Sequence, residues 1–150
     1  MPALDGQFLP AGSTDSERAF CHMLQRMRTT LPQGMPARDA LFAVVAELAR
    51  EIGAHGEFNF LLSNGECLFA HCSTRLSYIV RQAPFSVAHL KDQDVAVDFN
   101  DVTDPDDRVA VIATTALTDN EIWSTVAPGT LLLFADGAPV AAARTVASAT

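Results

Sequence analysis

Residues Glu57–Cys72 read EFNFLLSNGECLFAHC, two apolar runs on either side of an Asn64-Gly65 pair. Asn-Gly between strand-like segments is the strongest short-range signal for a two-residue hairpin turn, because both positions tolerate positive φ. The spacing therefore predicts strands over Glu57–Ser63 and Glu66–Cys72. Phe58, Phe60 and Leu62 fall on one face and Leu61 on the other, so both faces are apolar and the sheet is expected to be covered twice.

Upstream of this hairpin the apolar period changes from two to about 3.6. Ala19, Phe20, Met23, Leu24 and Met27 form one stripe, which predicts a helix over Ser16–Thr29. Pro32, Gly34 and Pro36 mark a turn. Leu41, Val44, Val45, Leu48, Ala49 and Ile52 then repeat at helical spacing until Gly53 stops the helix. Downstream, strands are predicted at Leu76–Arg81, Val95–Phe99, Val109–Thr114, Thr130–Ala135 and Pro139–Ala143, with turns at Asp104–Asp107 and Ala127–Gly129. A helical hairpin followed by a run of mainly antiparallel strands argues α+β and not alternating βαβ units. No repeat or linker divides the 150 residues, so one domain is expected, with a small-residue tail after Ala141 that frays.

Composition narrows the class of partner. A formal charge of −8 and a pI near 4.7 leave no clustered Lys and Arg for a nucleic-acid surface. No apolar run approaches the ~18 residues that span a bilayer, and no signal-peptide pattern opens the chain, so a cytoplasmic location is the expectation. The three cysteines, an odd number, read as reduced core thiols and not as a disulfide framework.

The stretch with chemical content is Phe8–Glu17, FLPAGSTDSE. Thr14 suits an N-cap and Glu17, three residues on, its reciprocal capping-box partner, which sets Asp15 at the first helical position. A carboxylate fixed there is suited to grip an ammonium. On its own, an acidic residue at a helix start is explained by the helix macrodipole, worth ~0.3–1 kcal/mol.

The TDSE segment resembles that of the class II glutamine amidotransferases, and the resemblance to a small bacterial branch continues through FNFLLSNGECLFAHCSTRLSYIVRQAPF, DQDVAVDF, VIATTALTDNEIW and PGTLLLF, from Phe8 to about Phe134. The resemblance implies the αββα sandwich of N-terminal-nucleophile hydrolases, of which two helices and a run of strands are about half. It also implies that Asp15 contacts the α-amino group of glutamine, with Thr14 and Glu17 in support. In such an enzyme a thiolate attacks the side-chain amide of glutamine or a γ-glutamyl compound and a thioester is hydrolysed.

The family's nucleophile is an N-terminal cysteine, and its oxyanion Asn-Gly pair and carboxylate-binding arginine precede the TDSE segment. This chain opens Met1-Pro2-Ala3, and Asn64-Gly65 lies on the wrong side of TDSE. The expectation is that residues 1–150 are the C-terminal portion of the amidotransferase domain without its catalytic half, and that no residue here is catalytic. Apolar faces, including alternate residues of Phe58–Leu62 and Val109–Ala113, are then expected to be partly uncovered, with self-association as the consequence. Three readings stay open: an active amidohydrolase whose start lies elsewhere, a fragment that binds without catalysis, and a subunit completed by another polypeptide. The expected ligand is a small molecule, glutamine or a γ-glutamyl compound, and no cofactor is implied.

Other chemistries are weaker. Cys21-His22 and His71-Cys72 lack metal-ligand spacing, and adjacent strand residues point to opposite faces. The acidic residues Asp92, Asp94, Asp98, Asp101, Asp104, Asp106 and Asp107 lack the calcium-loop pattern. No Gly-x-Ser-x-Gly elbow is present. Trp123, His22 and His71 are read as packing residues.

Overall fold

Thr14 starts the first helix: its backbone is extended and its side-chain oxygen accepts the Glu17 amide at 3.3 Å. The computed structural model describes residues 7–31, 34, 36–83, 87–91, 96–98 and 107–146. Helix α1 spans Asp15–Thr30 and α2 spans Arg38–Gly53, each close to the sequence expectation. Ala19 and Met23 of α1 and Leu41, Val45, Leu48 and Ile52 of α2 are buried, so the two stripes turn to a common core.

That core is closed by a four-stranded antiparallel sheet. Its strands are β1 Phe60–Ser63, β2 Leu68–Cys72, β8 Thr130–Ala135 and β9 Ala138–Arg144, in the order β1-β2-β8-β9. The pleat sorts its side chains. Phe69, Leu131 and Leu133 pack with the helices, whereas Ala70, Cys72 and Phe134 face a second sheet. That sheet is formed by β3 Leu76–Gln82, β6 Arg108–Ala113 and β7 Ser124–Val126 in the order β6-β3-β7. Leu76, Tyr78, Ile112 and Val126 line its inner face, and Tyr78 meets Phe134 edge to face at 5.3 Å. A short pair, β4 Val87–His89 with β5 Ala96–Asp98, completes the strands among the described residues. The layers are therefore helices, sheet, sheet, and among the described residues every strand pair is antiparallel, which makes the fold α+β. Burial of one large apolar side chain is worth about 1.5–3 kcal/mol, more than the ~1 kcal/mol span of strand propensity, so two-sided packing sets these strands.

Several expectations need correction. Asn64-Gly65 does not make a two-residue turn, because Ser63 pairs with Leu68 and leaves a four-residue loop. The Asn64 side-chain Oδ1 accepts the amides of Glu66 and Cys67, and Ser63 Oγ accepts that of Gly65, so side chains build this loop. Strand β1 begins at Phe60 and not at Glu57. It lies at the sheet edge, which leaves Leu61 53% exposed, while β2 is covered on both sides as expected. Val109, on β6, is also exposed. Strands β4 and β7 were not anticipated. The two-residue turn is Asp136-Gly137, with φ of 50° and 69°. A Cβ on Gly137 would lie 2.0 Å from the Arg108 carbonyl oxygen, so glycine is required there twice over. Most of the expected Asp104–Asp107 turn, both ends of the expected Val95–Phe99 strand and the end of the tail lie outside the described residues.

Candidate functional site

Asp15 is the first residue of α1, exposed, and its carboxylate has no partner among the described residues. It lines a half-open cleft of about 510 Å³ together with Ser16, Arg18, Ala19, Ile52, His55, Gly56, Glu57 and Phe58. The fold explains this juxtaposition. The N-terminus of α1 lies beside the C-terminal end of α2, and the connection from α2 to β1 supplies His55–Phe58 as the opposite wall. Ala19 and Ile52 are core residues, so the floor is apolar and the rim carries charge of both signs.

The approach to Asp15 is held in place. Thr14 caps the helix as expected, but Glu17 does not reach back to Thr14. One of its carboxylate oxygens accepts the Ala11 amide at 2.7 Å and the other the Gly12 amide at 2.8 Å. Further upstream, the Arg28 guanidinium lies 5.4 Å from the centre of the Phe8 ring and donates to Gln7. Two side chains of α1, Glu17 and Arg28, thus fasten residues 7–12 onto it.

The remaining candidates are structural. His22 is buried between the helices, its Nε2 3.1 Å from Glu51, which also receives Arg26. His71 is buried with Nδ1 2.8 Å from the Phe58 carbonyl and Nε2 2.9 Å from Thr145 Oγ1. A carbonyl only accepts, so Nδ1 carries the proton and Nε2 accepts from the threonine hydroxyl. Burial pushes the His71 pKa down, opposed in part by the bond to Phe58. Cys21, Cys67 and Cys72 are free and buried. Burial pushes the Cys67 and Cys72 thiols up. No group of three metal-ligating side chains occurs among the described residues. Of the acidic run, Asp92, Asp94, Asp101, Asp104 and Asp106 lie outside them.

Sequence reasoning missed two features. Arg18, His55 and Glu57 join Asp15 in the cleft; Arg18 was detectable, standing three residues on and so on the same helix face. The other is a buried network. The guanidinium of Arg81, on β3, grips Glu121 through two bonds of 2.7 and 2.5 Å, and Thr118 donates to the same carboxylate at 2.6 Å. Trp123 is only half-buried and donates to Thr118 at 2.9 Å. These bonds lower the Glu121 pKa, with the Arg81 hydrogen bonds first and burial opposing them. No helix among the described residues is long and apolar enough to cross a membrane.

The family model of the class II glutamine amidotransferases matches residues 1–150. The chain belongs to that family. It is 48% identical over 132 residues to YafJ of Escherichia coli K12, a protein provisionally named a glutamine amidotransferase, covering 88% of this chain and 52% of that one. A Haemophilus influenzae protein, also provisionally named a glutamine amidotransferase, is 40% identical over 142 residues, covering 94% of this chain and 48% of its own length. The chain thus spans about half the length of these amidotransferase relatives. The 2.0 Å crystal structure of a predicted glutamine amidotransferase from Pseudomonas aeruginosa PA01 superposes with a TM-score of 0.83 at 44% identity, over 94% of this chain and 55% of that one.

Proposed function

We propose that these residues form the substrate-binding part of a glutamine amidotransferase or amidohydrolase, and that Asp15 receives the α-ammonium of glutamine or of a γ-glutamyl compound. The observation that carries this reading is an unpaired carboxylate, fixed at the start of a capped helix, on the wall of a cleft large enough for an amino acid. In the reaction a cysteine thiolate adds to the γ-carbonyl, the tetrahedral oxyanion is held by amide donors, ammonia leaves, and water releases glutamate from the thioester. Asp15 does not touch the reacting carbonyl. Its role is to hold the far end of the substrate so that the amide is aimed, an orientation worth several kcal/mol of barrier.

The nucleophile is not Cys21, Cys67 or Cys72, which lie in the core and not in the cleft. These residues alone therefore bind without turning over. The test is Asp15→Asn in an active protein that contains this segment. The substitution keeps the shape and suits a helix start, but loses a charge-assisted bond of about 1.5–3 kcal/mol. The expected result is a kcat/KM lower by about 10- to 100-fold, carried by KM, at an unchanged melting temperature. Unaltered kinetics reduce Asp15 to a helix-start residue.

A further inference from the structure

The geometry points to His71 as a positioning residue of the cleft: from behind, it holds the Phe58 carbonyl and so sets the wall that faces Asp15, while Thr145 holds its ring. This rests on the reading of the cleft as a glutamine site and adds what shapes that site. His71 does not line the cleft, so it acts through Phe58.

The wall runs from the end of α2 to the start of β1. The His55 amide donates to the Ile52 carbonyl and finishes the helix, and the strand ladder begins only at Phe60. Between the two, no hydrogen bond anchors Gly56 or Glu57 among the described residues, and Gly56, at a φ of 151°, adds conformational freedom. Such a segment is ordered only if its far end is pinned. Asn59 fixes the chain behind it, its Oδ1 accepting the amides of Ser73 and Thr74. The Phe58 carbonyl, 2.8 Å from His71 Nδ1, is the last anchor before the wall.

The ring that supplies this anchor is held by bonds more than by packing. His71 sits on an inner strand, between Phe60 and Leu131, with the Phe60 ring 5.1 Å away. Its other side borders a second cavity, of about 350 Å³, which Gly129 and Thr145 also line. Nothing wedges the imidazole there, so its two hydrogen bonds orient it. The Thr145 hydroxyl donates to Nε2 at 2.9 Å and leaves the Nδ1 proton for Phe58. Thr145 is itself fixed, since its amide donates to the Gly129 carbonyl and the Gly129 amide to that of Cys72. One chain of bonds thus leads from the end of β9 to the cleft.

The test measures, on the 150-residue chain, backbone order parameters of Gly56–Phe58 without ligand and calorimetric affinity for L-glutamine. His71→Leu fills the space and donates nothing, whereas His71→Asn fills it less well but offers an N–H near the place of Nδ1. The parent and His71→Asn are expected to keep order parameters of about 0.85, and His71→Leu to fall below about 0.6. Glutamine affinity should drop by about 3- to 10-fold in His71→Leu alone. A packing role predicts the reverse ranking, because asparagine leaves the larger void. A wall at least as loose in His71→Asn as in His71→Leu, or one equally ordered in both, therefore overturns the assignment. So does a loosened wall that leaves glutamine affinity unmoved. Thr145→Val covers the case in which neither His71 variant folds: it should loosen the wall by a smaller amount and Thr145→Ser should restore it, and equal order in the two overturns the assignment. An Asp15→Asn chain that binds as the parent does, or a parent without saturable affinity for glutamine, sinks the ligand reading instead. The order parameters, taken without ligand, still decide the wall.

Discussion

Glu17 closes a loop onto Gly12: one carboxylate oxygen accepts the Gly12 amide at 2.8 Å while the other accepts that of Ala11. A Cβ added at Gly12 would come within 2.8 Å of the oxygen that accepts the Gly12 amide, so the Glu17 carboxylate would have to shift. The arrangement fixes the chain as it enters α1, just ahead of Asp15. Glu17→Gln replaces one acceptor by a donor that faces an amide, and Gly12→Ala displaces the carboxylate. Each is expected to cost about 0.5–1.5 kcal/mol, or roughly 2–4 °C in melting temperature. Amide hydrogen exchange should show Ala11 and Gly12 losing protection in both variants. Unchanged exchange would mean that the carboxylate does not hold this loop in solution.

The Arg81–Glu121 pair should govern acid stability. Both side chains are largely buried, at 14% and 7% exposure, and the folded pKa of Glu121 lies below the ordinary value. A carboxyl depressed in the folded state stabilises above its unfolded pKa of about 4.3, and that contribution is lost as pH falls through the folded value. Glu121→Gln takes the carboxylate away from the largely buried Arg81 guanidinium, for which about 3–5 kcal/mol is typical. Melting temperature measured from pH 7 down to pH 2 should show a large deficit of the variant at neutral pH that narrows in acid. A deficit independent of pH would assign the cost to packing.

His71 should act in a different window. Its folded pKa is lowered by burial, so below about 6.5 the unfolded chain takes up a proton that the folded one does not, and stability declines with falling pH until the folded pKa is reached. Imidazole nitrogen shifts should report Nδ1 protonated and Nε2 bare at pH 6. Thr145→Val strands Nε2 as a buried acceptor, at a cost of about 1–3 kcal/mol. Titration of His71 near its ordinary value, or an Nε2-protonated tautomer, would refute this bond scheme.

The two helices and the strand over Thr130–Ala135 were legible because their apolar period and boundaries agree with their packing. The hairpin turns were not. Asn64-Gly65 carries the stronger motif, yet the side chains of Ser63 and Asn64 draw the chain into a longer loop. Asp136-Gly137 forms the two-residue turn, with Gly137 pressed against β6. Strands β4 and β7 have three residues each, too few to show a period. At the site, Asp15 and Thr14 could be placed because capping is local in sequence. The opposite wall could not, since His55–Phe58 reach Asp15 only through the packing of α1 on α2. Glu17 was matched to Thr14, two and three residues short of its true partners Gly12 and Ala11, for a related reason: the loop before the cap, and not the cap itself, takes its two oxygens.

The last prediction concerns the thiols. Cys21, Cys67 and Cys72 are 6%, 7% and 0% exposed, and burial holds the last two in the protonated, unreactive form. A thiol reagent should therefore modify none of them in the folded chain at neutral pH and all three after denaturation. The 150-residue chain should likewise release no glutamate from glutamine above a blank, since all three of its thiols are buried in the core and none lines the cleft. Turnover that disappears when one of the three cysteines is changed to alanine would place the nucleophile inside this segment, and the cleft beside Asp15 would cease to be the site of the chemistry.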